Sequence, residues 1–167
     1  MQPLEWPDTH YLLAAVGWLE LGNSTEARVE LAQVNAARQN HPDVLEVRWL
    51  IAVEEGRWDE GLAAARTLLD VASERVSGWL HQAYALRRVP GGSIQQAWDA
   101  LLPAFAKFPK EPIIAFNLSC YACQMGQMEL AREWLKRAMQ IGDKEVLKKM
   151  ALGDKDLQPL WDEIRQL

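Results

Sequence analysis

The chain has 167 residues, 49% of them hydrophobic and 25% charged, and its 23 acidic and 18 basic residues give a net charge of −5. A single domain over residues 1–167 is expected, since a chain of this length buries roughly 70% of its unfolded surface. The acidic balance argues against a nucleic-acid partner, whose affinity would come from clustered Lys and Arg; Arg87-Arg88 and Lys148-Lys149 are short pairs that read as solvated helix faces.

The first residues, Met1 to Asp8, lack the basic start and apolar stretch of a secretory signal. No uninterrupted apolar run approaches the ~20 residues that cross a bilayer, so a soluble, cytoplasmic protein without a membrane partner is expected. Thr9 to Leu21 then carries apolar residues at helical intervals and stops at Gly22, after which Asn23-Ser-Thr-Glu-Ala27 opens a second helix continued by Leu31 and Val34. Behind Pro42, Val44 to Glu55 repeats the first pattern, and Gly56-Arg-Trp-Asp-Glu-Gly61 with Ala65 and Leu68 repeats the second. Val76 to Arg87 and Gly92-Ser-Ile-Gln-Gln-Ala97 with Leu101 and Ala104 form a third pair, lengthened around Val89-Pro90-Gly91. Behind Pro112, Ile113 to Met125 and Gly126-Gln-Met-Glu-Leu-Ala131 with Leu135 and Ala138 form a fourth. Gly22, Gly56, Gly92 and Gly126 are thus 34, 36 and 34 residues apart, which marks an internal repeat over 8–41, 42–75, 76–111 and 112–145.

Each part of the repeated word has a physical role. The glycine takes the left-handed conformation that ends one helix. Asn23 with Glu26, and Ser93 with Gln96, have the spacing that caps the start of the next helix, and the small residue five positions after the glycine lets two helices pack closely. Pro7, Pro42 and Pro112 stand at or just before first helices, and Pro109 follows a second one. The tail, 146–167, reads as a cap for the last apolar face. Ahead of its final helix, Asp143 starts a shorter one. Asp156 starts a final one, with Pro159 in its first turn and Leu157, Leu160, Trp161, Ile164 and Leu167 on one stripe.

These words resemble the tetratricopeptide repeat family, a 34-residue helix-turn-helix with a small residue early in its second helix and often a proline at its end. The likeness is best in the fourth repeat, at Leu118, Ser119, Ala122, Gly126, Ala131, Leu135 and Ala138, and in the second half of the third, at Ala97, Leu101, Ala104 and Pro109. The earlier repeats depart from it, with Trp49 where the family prefers a small residue and Gly61 in place of alanine. The resemblance implies an all-α fold, a right-handed superhelix or solenoid of about four helix pairs closed by C-terminal capping helices. It also implies that a partner lies along the first helix of each pair. By helical spacing that groove comprises Leu12, Val16 and Leu19; Glu46, Leu50 and Val53; Leu80, Tyr84 and Arg87; and Phe116, Cys120 and Cys123.

This groove is largely apolar and suits an amphipathic or extended apolar peptide, with Tyr84 and Phe116 as anchors. Members that grip the acidic tail of heat-shock chaperones present Lys, Arg and Asn here, and Asn117 alone fits that pattern. A non-enzymatic adaptor that binds a protein or peptide is therefore expected, with a homodimer, a larger assembly or a small secretion-type chaperone as alternatives.

No catalytic, cofactor-binding or metal site is expected. Cys120-Tyr-Ala-Cys123 has the spacing of a redox or metal pair, but it lies mid-helix without a second pair or a nearby histidine. His10, His41 and His81 are scattered and read as capping or surface residues. No phosphate-binding loop, nucleophile elbow or metalloprotease helix is present. Most of the eight tryptophans read as core filling, with Trp6, outside the repeats, the one set apart.

Overall fold

The computed structural model describes residues 2–166, and all the regular structure among them is helical. The helices are α1 (Asp8–Glu20), α2 (Ser24–Ala32), α3 (Pro42–Glu54), α4 (Trp58–Val71), α5 (Val76–Leu86), α6 (Ile94–Lys107), α7 (Pro112–Gln124), α8 (Met128–Ile141), α9 (Lys144–Gly153) and α10 (Trp161–Arg165). Short 3-10 helices occupy Ala36–Arg38 and Lys155–Leu160. The chain forms two compact units, residues 1–90 with α1 to α5 and residues 91–167 with α6 to α10, so α5 and α6 of the third repeat belong to different units.

Three of the helix pairs close in the same way. Gly22, Gly56 and Gly126 have φ of 73°, 68° and 76°. At the first, the Gly22 N–H donates to Leu19 O at 2.9 Å and the Asn23 N–H to Trp18 O at 2.8 Å. The Gly56–Arg57 and Gly126–Gln127 N–H groups make the equivalent bonds to Val53 and Ala52, and to Cys123 and Ala122. This double closure satisfies carbonyls that a helix end would otherwise leave open, and it needs a residue that tolerates positive φ. At the third turn the left-handed residue is Gly91, with φ of 76°, rather than the expected Gly92. Here α5 stops at Leu86 and the Arg88 and Val89 N–H groups both return to Ala85 O, at 2.8 and 3.0 Å, so the two extra residues lengthen the link and move its glycine.

Beyond the turns the helices start as their sequences predict. Asn23 Oδ1 accepts from the Glu26 N–H and Ser93 Oγ from the Gln96 N–H, both at 3.1 Å. Pro42 and Pro112 occupy the first turns of α3 and α7. The buried face of each second helix is the repeated one: Ala27, Leu31 and Val34; Gly61, Ala65 and Leu68; Ala97, Leu101 and Ala104; Ala131, Leu135 and Ala138. In α7 the buried Ser119 hydroxyl donates to Ala131 O at 2.8 Å, a bond across α7 and α8 that their close approach permits.

Two segments differ from the sequence expectation. The α2 helix ends at Ala32, two residues short of Val34. There the Asp8 carboxylate accepts the Asn35 N–H at 2.8 Å, Asn35 Oδ1 accepts the Ala37 N–H at 2.9 Å, and Gln39 Nε2 donates to Val34 O at 2.7 Å, so side chains replace the missing helical partners. In the tail, Asp143 caps α9 through the Val146 N–H as expected, but the final segment begins at Asp154, which accepts the Asp156 N–H at 2.9 Å, and not at Asp156. Pro159 falls inside the 3-10 stretch that precedes α10. Leu157, Leu160 and Ile164 are buried from one stripe and Trp161 is half-buried; Leu167 lies outside the described residues.

The departures at Trp49 and Gly61 go together, because a Cβ added at Gly61 would touch Trp49 Cδ1 at 3.6 Å and Ala52 Cβ at 3.7 Å. Those are ordinary contact distances. Gly61→Ala should therefore raise stability by about 0.5–1 kcal/mol, through the lower chain entropy lost on folding. Gly142→Ala should lower it, because its Cβ would meet Pro112 at 2.9 Å. Urea midpoints of the two variants check the pair; a loss at Gly61 would mean that the tryptophan cannot share that space.

Candidate functional site

Nine of the twelve expected groove residues lie in the first unit, eight on α1, α3 and α5 and Arg87 just after α5, where α3 packs against both of the other helices. Leu12, Val16 and Leu19 are half-buried and turn toward the core formed by Ala15, Ala27, Leu31, Val34, Val44, Val47 and Ile51. On α3, Glu46 accepts from Arg75 Nη1 at 3.0 Å and from the Ser77 hydroxyl at 2.8 Å. One turn on, Leu50 remains 45% exposed. Val53 and Tyr84 pack on Trp49, Ala64 and Ala65, while Leu80 and Arg87 are half-buried.

An aromatic stack stiffens this face from behind. The buried Trp49 ring lies parallel to His81, with centroids 3.7 Å apart and planes within 6°, and Tyr84 meets Trp49 edge-on at 6.0 Å and Trp58 at 5.9 Å. The Arg88 guanidinium sits 3.4 Å over the Tyr84 ring and donates from Nη1 to Tyr84 O at 2.9 Å. Tyr84 is thus held by Arg88 over one face and by contacts with Trp49 and Trp58. Burial pushes the His81 pKa down to about 4, against an opposing pull from Glu46.

The other three residues have a different environment. Phe116, Cys120 and Cys123 are buried in the second unit, where the 3-10 helix Lys155–Leu160 packs on α7. Cys120 Sγ lies 3.6 Å from Asp154 Oδ2, and Gln124 Nε2 donates to Asp156 O at 3.0 Å. Cys123 Sγ lies 3.9 Å from Met128 Sδ, and burial, followed by the charge of Asp156, pushes its thiol pKa up. A nucleophilic or redox cysteine needs the opposite shift. Among the described residues no group of three or more His, Cys, Asp and Glu side chains could hold a metal ion, and no helix is long and apolar enough to cross a membrane.

Of the histidines, His10 is exposed, and His41 caps α3, its Nδ1 accepting the Asp43 N–H at 3.3 Å. His81 is neither a cap nor a surface residue, and sequence reasoning missed its stacking role. The available signal was Trp49 itself, a large residue at a position where the resembled family prefers a small one and therefore in need of a neighbour. The expected core role of the tryptophans fits Trp134, which is buried against Phe105 and Trp98, while Trp6 is 71% exposed with His10 edge-on to it.

No protein-family model matches the chain, and no curated protein shows significant similarity to it.

The His81 pKa has a consequence for stability. Above its ordinary 6.5 the ring is neutral in folded and unfolded chains alike; between 6.5 and about 4 the unfolded chain takes up a proton that the folded chain does not. Stability therefore falls as pH is lowered through that window, by up to a few kcal/mol in order of magnitude. His81→Gln should show a shallower fall in urea midpoint from pH 7 to pH 4 than the wild type. Parallel curves would mean that His81 titrates alike in both states.

Proposed function

We propose that the chain is a non-enzymatic protein-interaction module, a tetratricopeptide-like solenoid with C-terminal capping helices, which holds an apolar or amphipathic peptide segment on the α1–α3–α5 face of its first unit. The observation that carries this reading is Leu50, 45% exposed on the middle helix of three, with Val16 and Leu19 of α1 and Leu80 and Tyr84 of α5 half-buried on the flanking helices. An exposed leucine backed by an immobilised tyrosine loses little conformational entropy when an apolar side chain seats on it. The reading calls for no cofactor.

The twelve-residue groove is narrowed accordingly. Phe116, Cys120 and Cys123 serve as the floor on which the chain's own tail rests, and Phe116 is withdrawn as an anchor for a partner.

A second reading, a subunit of a homo-oligomer, is favoured by one observation. Leu13 on α1 and Leu21 just after it are 69% and 76% exposed, more than any other leucines among the described residues. Concentration-dependent mass that is lost in Leu13→Lys would support this reading over the first.

Capture from lysate with wild-type protein, Leu50→Asp and Leu102→Asp tests the adaptor reading. Leu102, on α6, is 40% exposed and matches Leu50 in accessibility. A partner retained by wild type and Leu102→Asp and weakened at least ten-fold by Leu50→Asp, about 1.4 kcal/mol or more, is the expected result. Equal retention by all three would remove the α3 face from the account.

A further inference from the structure

Arg48, on α3 of the first unit, is a half-buried arginine held by neutral acceptors alone. Its Nη2 donates to Gln39 Oε1 at 2.5 Å and to Gln39 O at 3.1 Å, and Gln39 is fixed in turn by Nε2 donating to Val34 O at 2.7 Å. No described carboxylate pairs with Arg48, whereas Arg28 is bound by Glu55 and Glu60 and Arg75 by Asp43 and Glu46. Burial and the positive charge of Arg28 both depress the Arg48 pKa, as expected for a cation removed from water without a counter-charge.

The two guanidiniums share a cavity. Arg48 and Arg28, with Gln39, Leu31, Ala32 and Ile51, line a space of about 130 Å³ between α2 and α3, which holds roughly four waters at ~30 Å³ each. Arg28 uses Nε and Nη2 on Glu55 and Glu60, at 3.4, 2.5 and 3.2 Å. Its Nη1, and the Nε and Nη1 of Arg48, donate to no described residue. Leu31 and Ile51 supply an apolar wall, where a charge-assisted bond is stronger than in open water.

We propose that this cavity between α2 and α3 is a binding site for a small oxyanion, a carboxylate or phosphate group, received by Nη1 of Arg48 and by Nη1 of Arg28. The chemistry discriminates among occupants. A cation would meet the Arg48 charge, which no described carboxylate offsets, and an apolar group would leave the guanidinium donors unpaired. An oxyanion presents acceptors to both Nη1 groups and supplies the counter-charge that Arg48 lacks among the described residues. This site is independent of the α1–α3–α5 face, since it opens between α3 and α2.

The Gln39 side-chain amide, which touches both Arg48 and the Val34 carbonyl, is the reporter. At constant ionic strength, chloride is replaced by inorganic phosphate in one NMR titration and by acetate in another. A saturable shift of the Gln39 amide in either arm is expected; phosphate alone identifies a tetrahedral ligand and acetate alone a planar one. Arg48→Lys, which keeps the charge without the Nη1 donor and without the Nη2 bonds to Gln39 that fix its position, should bind roughly ten-fold more weakly. Arg28→Lys should also weaken binding, and exposed Arg66→Gln should leave it unchanged. Absence of saturation in both arms, or undiminished affinity in both lysine variants, overturns the proposal.

Discussion

The constraint on which the structure depends is the closing of a helix pair over a small residue. In three of the four pairs a left-handed glycine ends the first helix within two residues, and a buried Ala or Gly five positions later lets the second lie against it. Every larger feature follows from the close approach this permits. In the α7–α8 pair it brings the Ser119 hydroxyl onto the Ala131 carbonyl, where a bulkier residue at position 131 would hold the helices apart. In the α3–α4 pair it brings Gly61 under the Trp49 ring, with ordinary contact distances left for a Cβ there.

That substitution of sizes shapes the candidate site. A tryptophan at the crossing projects beyond its own pair and is covered by His81, whose burial in turn keeps it neutral. Tyr84 then fits between Trp49, Trp58 and Arg88, so the α5 side of the face is fixed by core packing rather than by loops. On the fourth pair the same face serves a different end. Phe116, Cys120 and Cys123 are buried on α7, against which the chain's own 3-10 helix packs.

The legible part of the fold was the part governed by local chemistry. First helices, the turn glycines Gly22, Gly56 and Gly126, the Asn23 and Ser93 caps and the twelve buried positions, eleven on the second helices and Val34 just beyond α2, can be read from spacing, because periodicity and capping act within a few residues. What spacing could not supply were the choices made by tertiary contact. Asp8 and Gln39 end α2 early through side chains distant in sequence or folded back upon it. Gly91 replaces Gly92 because an inserted link can place its left-handed residue at either glycine. Helical spacing puts Cys120 and Tyr84 at equivalent positions on the first-helix face, yet it is silent on which of them the tail covers. The pairing of Trp49 with His81, and the lack of a carboxylate for Arg48, are likewise facts of the assembled unit.

The central claim is that the chain's tail closes the α7 face while the α3 face stays open, and native-state thiol labelling tests it most directly. A Leu50→Cys variant carries the two natural cysteines, buried on α7, and a third on α3 at a site exposed in the wild type. The account predicts that Cys introduced at position 50 reacts at the rate of a free thiol, while Cys120 and Cys123 react only as fast as the tail opens. Labelling of Cys120 and Cys123 as rapid as that at position 50 would contradict it, since the α7 face would then be no more closed than the α3 face.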